Sequence, residues 1–171
     1  MTATKEKTWD QRAEELGRDA MESIAEMVAA LQCDYDRLEE LREMKADWSS
    51  DDRADGKTWE ESGWAEELAE LEAAAGDCES EEEARERIHE DPLSLQFRSD
   101  WCSSREGMEP AEFELLLGTG GPAVRIIGDI NRGSPSRPRL QVQDWFQPWT
   151  EYLDADEDIL QAYCEVFYFD A

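Results

Sequence analysis

The sequence is poor in positive charge. Lys and Arg together number 17 of 171 residues against 44 Asp and Glu, which leaves a formal net charge of -27. A protein that grips a duplex neutralises phosphates with clustered cations, and a chain this negative repels them, so direct nucleic-acid binding is excluded. Histidine is nearly missing. The single one, His89, lies in an acidic run, which removes His-based triads, proton shuttles and multi-His metal sites from consideration. Four cysteines, Cys33, Cys78, Cys102 and Cys164, form no Cys-x-x-Cys pair and have no His at zinc-ligand spacing. They are expected as reduced thiols, with no metal and no cofactor. No apolar run approaches the ~20 residues of a membrane span, and Met1 to Asp10 lacks the apolar centre of a secretory signal. The expectation is a protein of the host-cell cytoplasm without a membrane partner.

What is present is enough to fold. Apolar residues make up 40% of the chain, with seven Trp, five Phe and four Tyr, whereas disordered acidic tails are poor in aromatics. Pro92 divides two patterns. Residues 1–91 carry 30 acids and 11 bases, a net of -19, while residues 92–171 carry 14 and 6, a net of -8. The first part reads as an acidic helical region and the second as an antiparallel sheet with a C-terminal helix, an α+β protein in all.

In the helical region Met21, Ile24, Val28, Leu31, Tyr35 and Leu38 follow a 3,4,3,4,3 spacing, which predicts one long amphipathic helix from about Trp9 to Glu43. Glu15, Asp19, Glu22 and Glu26 fall on its opposite face. A second helix is predicted from Thr58, capped with Glu61, with Trp64, Leu68, Leu71 and Ala75 on one face and Glu66, Glu67 and Glu70 pointing away. A third starts at Ser80 with Glu83 and stops before Asp91-Pro92. Asp47 to Gly56, which includes Trp48, is predicted as a loop.

After Pro92 the period becomes two. Leu93-Leu95-Phe97, Phe113-Leu115-Leu117, Val124-Ile126 and Leu140-Val142 alternate with polar residues, predicting a four-stranded antiparallel meander. Residues 118–122 are the second connector and residues 131–138 a longer third one. Asp154 with Glu157 signals a final helix through Ile159, Leu160, Tyr163, Cys164 and Phe167, although residues 166–169 alone would pass as a strand.

Chemical motifs are weak. The Gly118–Pro122 run lacks the Lys-Ser/Thr of a phosphate loop, and the calcium-like spacing of Asp154, Asp156, Asp158 and Glu165 has Ile159 where the turn needs Gly. Among 44 acids, chance carboxylate pairs are unavoidable, so no pair identifies an active site and no catalytic residue is assigned. Two features exceed what folding requires. One is the acid lined along rigid helices at i, i+4, i+7 and i+11, which costs like-charge repulsion at each step that Lys or Arg partners normally relieve. The other is the connector from Asp144 to Tyr152, which packs Trp145, Phe146 and Trp149 around Pro148. Its alternatives are an apolar lid on the sheet and a recognition surface presenting Trp145, Trp149 and Tyr152.

Ordered negative charge is the physical content of a nucleic-acid backbone. Glu15 to Glu26 offers roughly one charge per 5.5 Å at a helical rise of about 1.5 Å per residue, sparser than the ~3.4 Å of a DNA strand. Duplex-like density would need helices side by side, adding Glu66, Glu67 and Glu70 and the third helix's acids.

Residues 118–126, Gln143-Asp144-Trp145 and Pro148-Trp149-Thr150-Glu151-Tyr152 carry a resemblance that spans roughly residues 80–171. They resemble a group of small acidic proteins encoded by phages and plasmids of proteobacteria. The group brings no assigned activity, but it implies a mobile-element setting. Small acidic non-enzymatic proteins of that setting include antirestriction and anti-CRISPR inhibitors, several of which mimic DNA, and the analogy with them is one of charge. The resulting expectation is a non-catalytic inhibitor that binds a basic nucleic-acid-handling host protein or defence complex as a DNA mimic. The alternative is an interaction module working through the sheet and the aromatic connector, with charge serving solubility; an enzyme using carboxylates stands third.

Overall fold

The computed structural model describes residues 8–48, 57–105 and 108–169. It is an α+β protein whose elements run α1 (Trp9–Leu31), α2 (Tyr35–Ala46), a 3-10 turn (Trp59–Glu61), α3 (Trp64–Ala75), α4 (Glu81–Glu90), β1 (Ser94–Ser99), β2 (Pro110–Gly118), β3 (Ala123–Asn131), β4 (Ser134–Gln143), β5 (Thr150–Glu151) and α5 (Glu157–Cys164). No described helix is long and apolar enough to cross a membrane. The chain forms two compact units. One takes the chain up to Ala25 and from Arg87 onward, and the other is Glu26–Glu86.

In the first unit the five strands are hydrogen-bonded in chain order, all antiparallel, which is the expected meander with a short fifth strand added by the connector. The period-two pattern holds. Leu115, Ile126 and Leu140 are directly paired across three strands and fully buried, as is Val142, so they define an inner face. α5 packs on β4, and Gln161 Nε2 donates to the Pro135 carbonyl at 2.9 Å. Phe113 faces Gly128, where a Cβ would stand 2.6 Å from the Phe113 ring, so only glycine admits that ring. Phe169 then meets Phe113 at a tilt, 4.8 Å between ring centres, and Phe97 edge-on at 6.2 Å.

The link between β3 and β4 is shorter than its composition suggests. Arg132 and Gly133 alone make the turn, both at positive φ (54° and 78°), as a two-residue turn matched to strand twist requires. The prolines that suggested a loop lie inside β4, where Pro135 and Pro138 are buried. They are tolerated because β5 pairs only with Gln141 and Val142, so the free edge of β4 asks nothing of their missing N–H groups. Near them the register shifts between Ile127 and Asp129, and Arg137 takes φ 51°.

The first unit closes through α5. Its N-cap is Asp156 rather than Asp154, accepting from the Asp158 and Ile159 amides at 3.0 and 3.2 Å, and residues 166–169 form no strand. Tyr163 is fully buried, and its hydroxyl donates to Asp91 Oδ2 at 2.5 Å. Burial, reinforced by that bond to a carboxylate, pushes the Tyr163 hydroxyl well above its ordinary pKa.

In the second unit the helix predicted over residues 9–43 is two helices. Asp34 caps α2 by accepting from the Arg37 amide at 3.0 Å, and the Tyr35 hydroxyl donates to the orphan carbonyl of Ala30 at 2.9 Å. Leu38, Leu41, Trp59, Leu68 and Ala75 form the core between α2 and α3. Glu61 does reach back to the Thr58 amide at 3.0 Å, but the turn it caps is the 3-10 turn, and α3 begins only at Trp64. Trp48 meets Trp59 and Trp64 edge-on, at 5.3 and 5.9 Å, so the residue read as part of a loop belongs to this core; residues 49–56 of that predicted loop lie outside the described residues. α4 is capped as expected, with the Glu83 amide donating to Ser80 Oγ at 3.2 Å, while the Glu83 carboxylate accepts from Glu79 rather than from Ser80.

All four cysteines are free, with Cys78 and Cys164 buried. Burial raises the pKa of the Cys33 and Cys164 thiols, which disfavours their thiolate forms. Because a hydrogen bond to a charged group contributes about 1.5–3 kcal/mol, Tyr163→Phe is expected to lower unfolding free energy by that amount. Urea denaturation at neutral pH measures it; an unchanged midpoint would mean that the Tyr163–Asp91 bond adds nothing to stability.

Candidate functional site

The acidic face of α1 follows from its buried one. Ala13, Gly17, Met21, Ile24 and Val28 face inward, which turns Asp19, Glu22 and Glu26 to solvent, and none of these three makes an ion pair with a described residue. Glu15, expected in the same exposed row, is half-buried. On α3 the expected outward trio divides in the same way. Glu66 and Glu70 are exposed, whereas Glu67 is gripped by Arg37 of α2 through two parallel bonds, Nε to Oε1 at 2.7 Å and Nη2 to Oε2 at 2.9 Å. That grip holds the Glu67 carboxyl below its ordinary pKa. It removes Glu67 from the surface charge expected of it, because α2 packs on α3 and brings Arg37 within reach.

The cations are distributed unevenly. Arg12, Arg37, Arg42, Arg85, Arg98, Arg125, Arg137 and Arg139 each pair with an acid of the same unit or helix. Four of them stand on the sheet. The outer face of β1 to β4 is a ladder of opposite charges, Arg98 with Glu112, Arg125 with Glu114 at 2.5 Å, Arg137 with Asp129 and Arg139 with Glu151 at 3.9 Å, around a shallow depression of about 500 Å³. Arginine is thus concentrated where the acids of the sheet are, and the outer row of α1 is left unmatched.

The aromatic connector separates into an inward and an outward pair. Trp149 is half-buried, with the Arg125 guanidinium 4.1 Å from its ring centre, and that guanidinium is itself held by Glu114 and by Gln141 at 2.7 and 3.0 Å. Tyr152 is half-buried against Gly17 of α1, where a Cβ would come within 2.4 Å of its ring; its amide donates to the Leu140 carbonyl at 2.9 Å. Trp9 adds an indole hydrogen bond to Thr150 at 3.2 Å, and Arg12 an ion pair to Asp144 at 3.3 Å. These two aromatics, each still partly accessible, fasten the connector to β3 and α1, as the lid reading expects.

Trp145 and Phe146 point outward. Asp144 opens a turn, accepting the Gln147 amide on its carbonyl at 3.0 Å and the Trp145 amide on its side chain at 2.8 Å. Trp145 is 65% exposed, its indole lying over Gly121, and Phe146 is completely exposed at φ 64°. A bulky residue in this left-handed region costs about 1–2 kcal/mol, and Phe146 recovers none of it by burial. Phe146 was not singled out from the sequence. No turn signal pointed to it, since a left-handed third position calls for Gly or Asn and residue 146 is Phe.

Among the described residues no group of three or more His, Cys, Asp or Glu is placed to hold a metal ion. Comparison with family models, curated proteins and solved structures finds no match to the chain. The two aromatic pairs make opposite demands on mutation. Trp149→Ala is expected to lower unfolding free energy by about 1–3 kcal/mol, less than the ~3–5 kcal/mol of a fully buried Trp, and Trp145→Ala by less than about 1 kcal/mol. Thermal melting of the two variants side by side tests the assignment, and equal losses would contradict it.

Proposed function

We propose that the protein is a non-catalytic binding protein that engages a basic, nucleic-acid-handling partner through the acidic faces of its helices, in the manner of a DNA mimic. One observation carries this reading: Asp19, Glu22 and Glu26 of α1 stand exposed without an ion pair to any described residue, while eight arginines are paired with other acids. Solubility alone does not require charge to be left unmatched along one row. Such a row acts at long range on a partner with a basic groove and raises its encounter rate. In the mobile-element setting that the resemblance implies, the partner is a host defence complex and the outcome is inhibition.

A second reading has its own support. Phe146 is exposed at a backbone conformation unfavourable to it, beside exposed Trp145 at 6.4 Å between ring centres, and such a pair suits the centre of a protein interface. Under it the protein is an interaction module whose anchor is the β4–β5 turn.

Immobilised protein, challenged with nuclease-treated bacterial lysate, separates the two. Under the first reading the captured proteins are basic nucleic-acid binders, released by duplex DNA and by raising salt from ~50 to ~200 mM. Replacing Asp19, Glu22 and Glu26 by Asn, Gln and Gln weakens capture more than tenfold, about 1.4 kcal/mol or more, without loss of folding. Under the second, Phe146→Gly abolishes capture although it relieves the backbone. Capture indifferent to salt, to DNA and to the triple variant would refute the mimic.

A further inference from the structure

One edge of the sheet is open. β1 bonds to β2 on one side, and among the described residues no backbone group pairs with its other side. The opposite edge is guarded. Pro135 and Pro138 remove donors from β4, and β5 covers Gln141 and Val142. β1 has no such guard. Ser94-Leu95-Gln96-Phe97-Arg98-Ser99 contains no proline, no lysine and no acid, although acids are 44 of the 171 residues of the chain. Its apolar side chains are only partly covered: Leu93, just before it, is 60% exposed, Phe97, met on one side by Phe169, is 47% exposed, and Trp101, just after it, is fully exposed.

The order of these residues is symmetric. Leu93 and Trp101 each lie four positions from Phe97, and Gln96 and Arg98 each lie one position from it. A strand with such a pattern complements an antiparallel copy of itself, since a two-fold axis at Phe97 sets Phe97 against Phe97, Leu93 against Trp101 and Gln96 against Arg98. We propose that β1 is the seam of a homodimer in which two copies pair β1 with β1 and join their sheets edge to edge. The backbone bonds supply affinity, and the apolar row and the Gln96–Arg98 pairs set the register. No acid meets an acid within the seam. A second copy sets neutral Gln96 against Arg98, whose charge Glu112 of its own sheet already meets, so self-pairing brings no like charges together across the axis.

Two chains of net charge -27 repel at long range, so screening must strengthen this dimer. That sign is opposite to the one expected for the acidic helices and a basic partner, so the two readings stand or fall separately. Sedimentation velocity of the full chain from roughly 5 to roughly 200 µM, in roughly 50, 150 and 500 mM NaCl, is expected to show a monomer–dimer equilibrium whose Kd falls several-fold as salt rises. Gln96→Lys sets like charges across the seam while facing Glu114 within its own sheet, and is expected to raise Kd at least tenfold without lowering the melting temperature. Leu93→Asp, at an exposed site outside the strand, is expected to do the same. A chain monomeric under every condition, a dimer loosened by salt, or a dimer undiminished in both variants would overturn the proposal.

Discussion

With 44 carboxylates and 17 cations to place, where each arginine sits decides which acids repel their neighbours and which do not. The sheet carries four arginines, each beside an acid on a neighbouring strand or, for Arg137 and Asp129, across a register shift, so its outer face is close to neutral. Arg37 does the same between α2 and α3, where packing two acidic helices would otherwise bring Glu40 and Glu67 together without a counter-charge. Exposed pairs of this kind add little stability each, a median of about 0–1 kcal/mol. Their effect is to allow acidic elements to approach at all. The repulsion that remains is left on outward rows, where solvent and salt screen it and a partner can meet it.

Against that electrostatic arrangement the cores are conventional. Leu, Ile and Val fill the inner sheet face, and three tryptophans meeting edge-on close the helical unit. Arginine also reaches into the packing: Arg125 is clamped between Glu114, Gln141 and the Trp149 ring, so one guanidinium ties β2, β3, β4 and the connector. The same residue illustrates why the connector could be read in two ways. Its aromatics are of one composition, but half of them have a partner waiting on the sheet or on α1, and half do not.

Strand periodicity made the sheet legible, because alternation survives wherever one face is buried, and a capping residue marked the start of α4, whereas the Thr58–Glu61 pair marks the 3-10 turn that precedes α3. Periodicity failed between α1 and α2 for a definite reason. Leu31, Tyr35 and Leu38 keep the 3,4 spacing across residues 32–34, so the apolar stripe continues through a break that only the Asp34 cap marks. Composition misled at Pro135 and Pro138, which signal a loop unless the strand carrying them has a free edge, a fact of topology. In the candidate site, Asp19, Glu22, Glu26, Glu66, Glu70 and Trp145 are as exposed as their spacing implied. Glu67, Trp149 and Tyr152 are not, since each is engaged by a residue distant in sequence: Arg37, Arg125 and Gly17. Phe146 was illegible because a side chain's exposure at a turn depends on a left-handed backbone that its own residue type disfavours.

The Phe113–Gly128 pair bears on how this sequence can change over generations. The ring of one residue occupies the space of the other's missing side chain, so the two positions share a single volume between neighbouring strands. A methyl at 128 would meet the Phe113 ring at 2.6 Å and the Ser136 carbonyl oxygen of the next strand at 2.9 Å, and shrinking 113 alone empties a place in the core. Shrinking 113 would therefore not free 128, where the β4 backbone still excludes a side chain, so descendants of this fold should keep glycine at 128 whatever happens at 113.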